Sequence, residues 1–302
     1  MPVSGPTRWI RPALAVALVT ALTTFAYGAS AGPRAAGISA SGFERGCAQA
    51  SRPFGVGTLT LDLVDPARDR HLPTTVTYPA SGSGPGATPA CGSFPLIVAG
   101  HGSQGTGASA ALLHAFLTQA GYVLAAPTFP SGFDFRAMTG DVRFVITKVL
   151  KESAGTGTPL QGLIDRTSVG FIGTSMGGMI GLALYQSCCL DPRIDAVVSK
   201  IGMAPGGEYD WRAGPPLLMI NGDADQTISY DAALEAYHDA RRPKGMITLA
   251  GIGHDLNVGN DPILRDAPLG FFAFFLKERR HGLNKLGAAV DASAIASLQA
   301  RW

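Results

Sequence analysis

The chain has 302 residues, enough for one large α/β domain or two small ones. Charged residues make up 15% and hydrophobic residues 46%, a balance that supplies a sizeable core and excludes a disordered chain. The formal net charge is only +2 and no Lys/Arg stripe stands out, so nucleic acid is not an expected partner.

Residues 1–31 read as a secretory signal. Arg8 and Arg11 give a positive start, Pro12 to Ala26 is uncharged and mostly apolar, and Ala29-Ser30-Ala31 supplies small residues for cleavage. A membrane anchor is the competing reading, since no charge falls between Arg11 and Arg34. The strongly apolar part is short for a span and breaks up into Thr, Gly and Ser. Cleavage near Ala31, export, and no stable membrane anchor are therefore expected. Loss of the two arginines leaves 22 basic residues against 22 acidic ones. Gly32–Gly57 is rich in Gly, Ala and Ser and reads as a loosely packed lead-in.

Strands are expected at Thr58–Val64 and Thr74–Tyr78, joined by the polar turn Asp65–Leu72. Ser81–Ala90 reads as a loop. Phe94–Ala99 and Tyr122–Ala126 are apolar throughout, as strands buried on both faces are. Between them, Ala108–Ala120 has helical spacing at Leu112, Leu113, Phe116 and Leu117 and stops at Gly121. Asp141–Lys151 reads as a helix, Ser153–Gly162 as a loop and Ser168–Ile172 as a strand, followed by an Ala/Leu-rich helix at Met179–Gln186. Ile194–Ser199, Pro216–Ile220 and Met246–Leu249 are further strands. Asp231–Arg241 and Pro268–Arg279 are helices, and a short helix is expected near Glu208–Arg212. No repeat appears. The alternation predicts an α/β domain over 58–280 with a mostly parallel eight-stranded sheet, helices on both faces and an antiparallel start. Residues 281–302 are left as a C-terminal tail.

The four cysteines are Cys47, Cys91, Cys188 and Cys189. Export makes disulfides the default, and four cysteines allow three pairings. Cys47 and Cys91 flank the first two strands and are the favoured pair; a bridge between the adjacent Cys188 and Cys189 would be strained. With neither CxxC nor HExxH in the chain, no zinc site is expected, and no metal or cofactor is called for.

The chemistry concentrates at Gly173-Thr174-Ser175-Met176-Gly177. A β-branched run precedes it and a helix follows, which is the pattern of a serine held on a sharp strand-to-helix turn. A serine hydroxyl needs a base, and the base needs an orienting acid. His254, in Ala250-Gly251-Ile252-Gly253-His254, lies just past the last expected strand, where sites in open α/β sheets form. His238 and His281 sit in polar helical stretches, His114 on a helix and His71 in a turn. The acid is expected between serine and histidine in chain order. Asn221-Gly222-Asp223-Ala224-Asp225 offers Asp225 first and Asp223 second. Donors for an oxyanion are the backbone N–H of Met176 and one from Gly100-His101-Gly102-Ser103-Gln104, with Ser103 ahead of Gln104; His101 is expected to be structural.

With these pieces in place the chain resembles α/β-hydrolase fold serine esterases. It is similar to the dienelactone hydrolase-like group that includes platelet-activating-factor acetylhydrolases and bacterial cutinase-like polyester hydrolases. The likeness rests on Phe94–Val98 leading to His101-Gly102, on Ala120–Pro127, on the serine turn, on Gly222–Asp225 and on Gly253-His254. It implies ester cleavage by Ser175, with His254 as base and Asp225 as its partner. It departs at Thr174, where many members carry His. A peptidase or acyltransferase on the same triad, or a non-catalytic binding protein of the same fold, are the alternatives. Expected partners are a small-molecule or polymeric ester, with the chain a monomer. Lys200–Pro215 is too short to hold a cap domain, so an open cleft is expected, with Phe129, Phe133 and Trp211 as candidate substrate contacts.

Overall fold

The computed structural model describes residues 47–302. The expected signal segment 1–31 and the lead-in up to residue 46 lie outside the described residues. The sequence supplies β-branched and apolar runs separated by Gly, Pro and Asp. These become strands β1 (Gly55–Asp65), β2 (Arg70–Ala80), β3 (Gly84–Pro85), β4 (Phe94–Gly100), β5 (Val123–Pro127), β6 (Ile164–Thr174), β7 (Ile194–Lys200), β8 (Leu217–Gly222), β9 (Lys244–Leu249) and β10 (Ala296–Arg301). They form one sheet in the order β10-β9-β8-β7-β6-β4-β5-β2-β1-β3. The run from β9 to β5 is parallel; β5–β2, β2–β1 and β9–β10 are antiparallel. The β1–β2 hairpin is thus the expected antiparallel start.

Every residue of β4, β5 and β8 is buried, because helices cover both faces of the sheet. On one face lie α3 (Phe135–Ala154), α4 (Met176–Ala183) and α5 (Tyr230–Asp239), sharing a core with Leu96, Val98, Phe171 and Val197. On the other lie α1 (Gly107–Leu113), α2 (Ala115–Gln119), α6 (Ile263–Phe275) and α7 (Gly282–Asp291), over Ile97, Leu124, Ile172 and Val198. Among the described residues no helix is long and apolar enough to cross a membrane.

Four expectations are corrected. The sheet has ten strands, not eight. β3 is two residues long, too short to carry a period, and β10 is an edge strand whose residues are mostly exposed, so it needs no apolar run. The stretch 281–302, read as a tail, instead forms α7 and β10; β10 pairs with β9 from Ala296↔Leu249 to Arg301↔Lys244. The single helix expected over Ala108–Ala120 is two helices, broken at His114. No helix forms near Glu208–Arg212. That segment instead lies strand-like against the end of α4: the N–H of Ser187 donates to Glu208 O (2.9 Å) and that of Asp210 to Tyr185 O (2.9 Å).

Both disulfides are formed, Cys47–Cys91 and the adjacent pair Cys188–Cys189. The first, with the bridge Ala48↔Ala90, fastens the lead-in expected to be loosely packed beside the β1–β2 hairpin, and the last residues of that lead-in, Gly55 to Gly57, belong to β1 itself.

Leu286 of α7 is fully buried against α6. Leu286→Ala is expected to destabilise the domain by about 2–4 kcal/mol, the range for a core leucine replaced by alanine. A urea midpoint unchanged from wild type would show the 281–302 segment to be dispensable.

Candidate active site

β6 ends at Thr174 and α4 begins at Met176, so Ser175 alone makes the turn between them. Its backbone sits at φ 56°, ψ −118°, a region that costs a non-glycine residue about 1–3 kcal/mol. Two close approaches hold it there. A Cβ on Gly173 would overlap the carbonyl of Gly177, and one on Gly177 would overlap that of Gly100 on β4. Glycine is the residue that lets the first turn of α4 sit on the strand backbone. The N–H of Ser175 donates to Lys200 O of β7 at 2.9 Å, closing the turn.

The hydroxyl of Ser175 lies 2.9 Å from Nε2 of His254, and Nδ1 of His254 lies 2.8 Å from Oδ2 of Asp225. A carboxylate only accepts, so Nδ1 carries the imidazole proton and Nε2 is left to accept from the serine. The other oxygen of Asp225, Oδ1, accepts from the N–H groups of Thr227 (2.8 Å) and Ile228 (2.9 Å). Burial pushes this carboxyl up, but the Ile228 N–H, His254 and the Thr227 N–H outweigh it, and the group ends below its ordinary value. The second candidate, Asp223, is engaged elsewhere. Its Oδ1 accepts from the N–H of Gly251 (2.6 Å) and pins the loop that carries His254.

The loop after β4 faces the same turn; a Cβ on Gly102 would lie 3.8 Å from that of Ser175. His101 is structural, as expected. Nε2 accepts from the N–H of Phe129 (3.0 Å), so Nδ1 carries the proton and donates to Gly102 O (2.6 Å). Gly105 N–H donates to the same oxygen (2.9 Å). Across a trans peptide the N–H points opposite to the C=O, so the two donors on Gly102 O turn the N–H of Ser103 away from them. Among the described residues neither that N–H nor the N–H of Met176 has an acceptor.

The three aromatic candidates fare differently. Phe129 is a core residue, 4% exposed and beside the His101 ring, and is corrected to packing. Trp211 is half-buried with one face stacked on Tyr209 (4.6 Å between centroids, 8° between planes), so that face is already covered. Phe133 is exposed. Of the remaining histidines, His71, His238 and His281 are exposed, whereas His114 is fully buried. The residue next to the site that the sequence reading passed over is Lys200. Lys200 is 2% exposed, and its ammonium has no hydrogen bond or counter-ion among the described residues. A cavity of about 420 Å³ runs from His101 and Gly102 along α1, and one of about 280 Å³ lies between Lys200 and His254.

A scan against models of known protein families matches nothing, and no curated protein is detectably similar to the chain.

Burial pushes Lys200 down from 10.5 to about 7. Between those values the unfolded chain holds a proton that the native state lacks, so native stability rises with pH across that window. Below pH 7 the cost of the buried charge is felt in full. Lys200→Met is expected to stabilise the ligand-free chain near pH 6, by an amount on the order of a few kcal/mol that shrinks toward pH 10. Parallel stability–pH curves for the two chains would contradict this.

Proposed function

We propose that the chain is an exported serine hydrolase of the α/β-hydrolase fold that cleaves carboxylic esters through an acyl-enzyme. The observation that carries the reading is the continuous relay from Ser175 Oγ to His254 to Asp225, at 2.9 and 2.8 Å, on a strained strand-to-helix turn. In this reading His254 takes the Ser175 proton as the hydroxyl attacks the ester carbonyl, then delivers it to the departing alcohol. Water, deprotonated by the same imidazole, releases the acid and restores the serine. Asp225 holds the imidazole in the tautomer that can accept and offsets its positive charge. The N–H groups of Met176 and Ser103, both without an acceptor among the described residues, are the assigned donors to the oxyanion.

Esters are favoured over peptides by access. Among the described residues no inserted domain separates β7 from β8, and the 420 Å³ cavity beside the Gly102 loop, lined by Ala110, Leu112 and Leu113, has room for a small acyl or alcohol group. Export fits the two disulfides.

Wild type is expected to be labelled by a fluorophosphonate and to hydrolyse short p-nitrophenyl esters. Ser175→Ala should lose both, with a drop in kcat on the order of 10⁶. Asp225→Asn should lower kcat by about 10⁴ through the wrong tautomer. Asp223→Asn, whose amide oxygen can still accept from the Gly251 N–H, should cost far less. An unlabelled wild type, or a Ser175→Ala chain within tenfold of wild type, rejects the proposal.

A further inference from the structure

Lys200 ends β7 and Thr174 ends β6, and the two are register partners. They continue the alternation of Val198 and Ile172, which places them on the sheet face covered by α1 and α6. Both border the 280 Å³ cavity, together with His254. Their polar atoms are short of partners. The Lys200 ammonium has none among the described residues, and Thr174 Oγ1 is enclosed without a hydrogen bond. So is Nε2 of His114, the imidazole on which the Lys200 charge acts. A buried cation beside two unsatisfied polar atoms is a costly arrangement, and native proteins fill such places with water, an ion or a ligand. The rest of the cavity is mostly apolar, walled by Leu113, Phe116, Ile201, Leu256 and Leu264, with Asp255 and Arg265 also on its border.

We propose that this cavity binds a short aliphatic carboxylate, its carboxylate on the Lys200 ammonium and Thr174 hydroxyl and its alkyl chain against Leu113, Phe116, Leu256 and Leu264. The protonated Lys200 favours an anion, and the apolar walls favour an alkyl chain. Free phosphate would leave the walls against water, and an alcohol would leave the cation unpaired. A cavity of about 280 Å³ suits a short chain. An aliphatic carboxylate is also the product that ester cleavage would release. Use of the cavity as a product site therefore rests on the proposed hydrolysis, whereas binding does not.

The test uses the Ser175→Ala chain, so that no chemistry intervenes, with sodium butyrate as the probe, read by calorimetry and by backbone amide shifts at pH 6.5. Saturable binding is expected, with the largest shifts at Thr174, Lys200 and Leu256. n-Butanol and inorganic phosphate should bind at least about tenfold more weakly. Adding Lys200→Met, which keeps an unbranched stem and removes the charge, should weaken butyrate by at least about tenfold. Leu264→Trp, which fills the cavity and leaves Lys200 in place, should do the same. Absence of saturable binding, equal affinity in the Lys200→Met chain, or shifts gathered away from Thr174, Lys200 and Leu256 would overturn the proposal. Butyrate binding by a chain whose wild type cleaves no ester would reject the hydrolysis and support the site.

Discussion

The contact on which the rest of the structure depends is backbone against backbone. The first turn of α4 lies on the ends of β4 and β6 with no side chain between them, because Gly100, Gly173 and Gly177 meet there. Ser175 is the one residue at this junction that must have a side chain, and it takes a left-handed backbone to turn that side chain out. The strain is held by hydrogen bonds on either side: Ser175 N–H to β7, and Met179 N–H back to Ser175 O. From that point the sheet order settles what can reach the hydroxyl. β4 sits beside β6 on one side and brings the Gly102 loop. β7, β8 and β9 follow on the other, so the loop after β9 must arch over β7 and β8 to present His254, with Asp225 rising from the end of β8 midway.

That arch has a consequence for the sheet face beneath it. The interiors of the central strands are mostly apolar, yet their carboxyl edge turns polar: the half-buried Thr174 ends β6, the buried Lys200 ends β7, and the buried Asn221 lies near the end of β8. The proposed reaction uses none of these three side chains directly. Asn221 is anchored through its amide, which donates to Gly202 O (3.1 Å), while its Oδ1 is buried without a partner. Lys200 has no such anchor, which is why its surroundings rather than the serine turn supply the unexplained chemistry.

How much of this could be read from residues alone follows from how local each signal is. The serine turn was legible because strand, glycines and helix are contiguous, and Asp225 and His254 because each follows an apolar strand in the order Ser, Asp, His. The choice of Asp225 over Asp223 was readable as a preference; what Asp223 does instead depends on Gly251, 28 residues away. Lys200 was not legible, since its meaning lies in its register with Thr174, and a lysine closing an apolar strand looks like a solvated end. β10 was missed because an edge strand needs no apolar run, and α7 because Leu286 and Val290 point at a partner helix that sequence does not specify. Phe129 and Trp211 look alike as loop aromatics, and only packing separates a core ring from a half-covered one.

The His101 arrangement has an implication for acid conditions. The imidazole holds its loop in shape only while Nε2 has a free lone pair for the Phe129 N–H. A second proton would set two N–H groups face to face and push Phe129 off, and with it the carbonyl of Gly102. Burial lowers the pKa of His101 and keeps that proton away, although the bond to Gly102 O pulls the other way. The loop beside the serine therefore carries its own guard against mild acid, built from an imidazole that stands outside the relay of Ser175, His254 and Asp225.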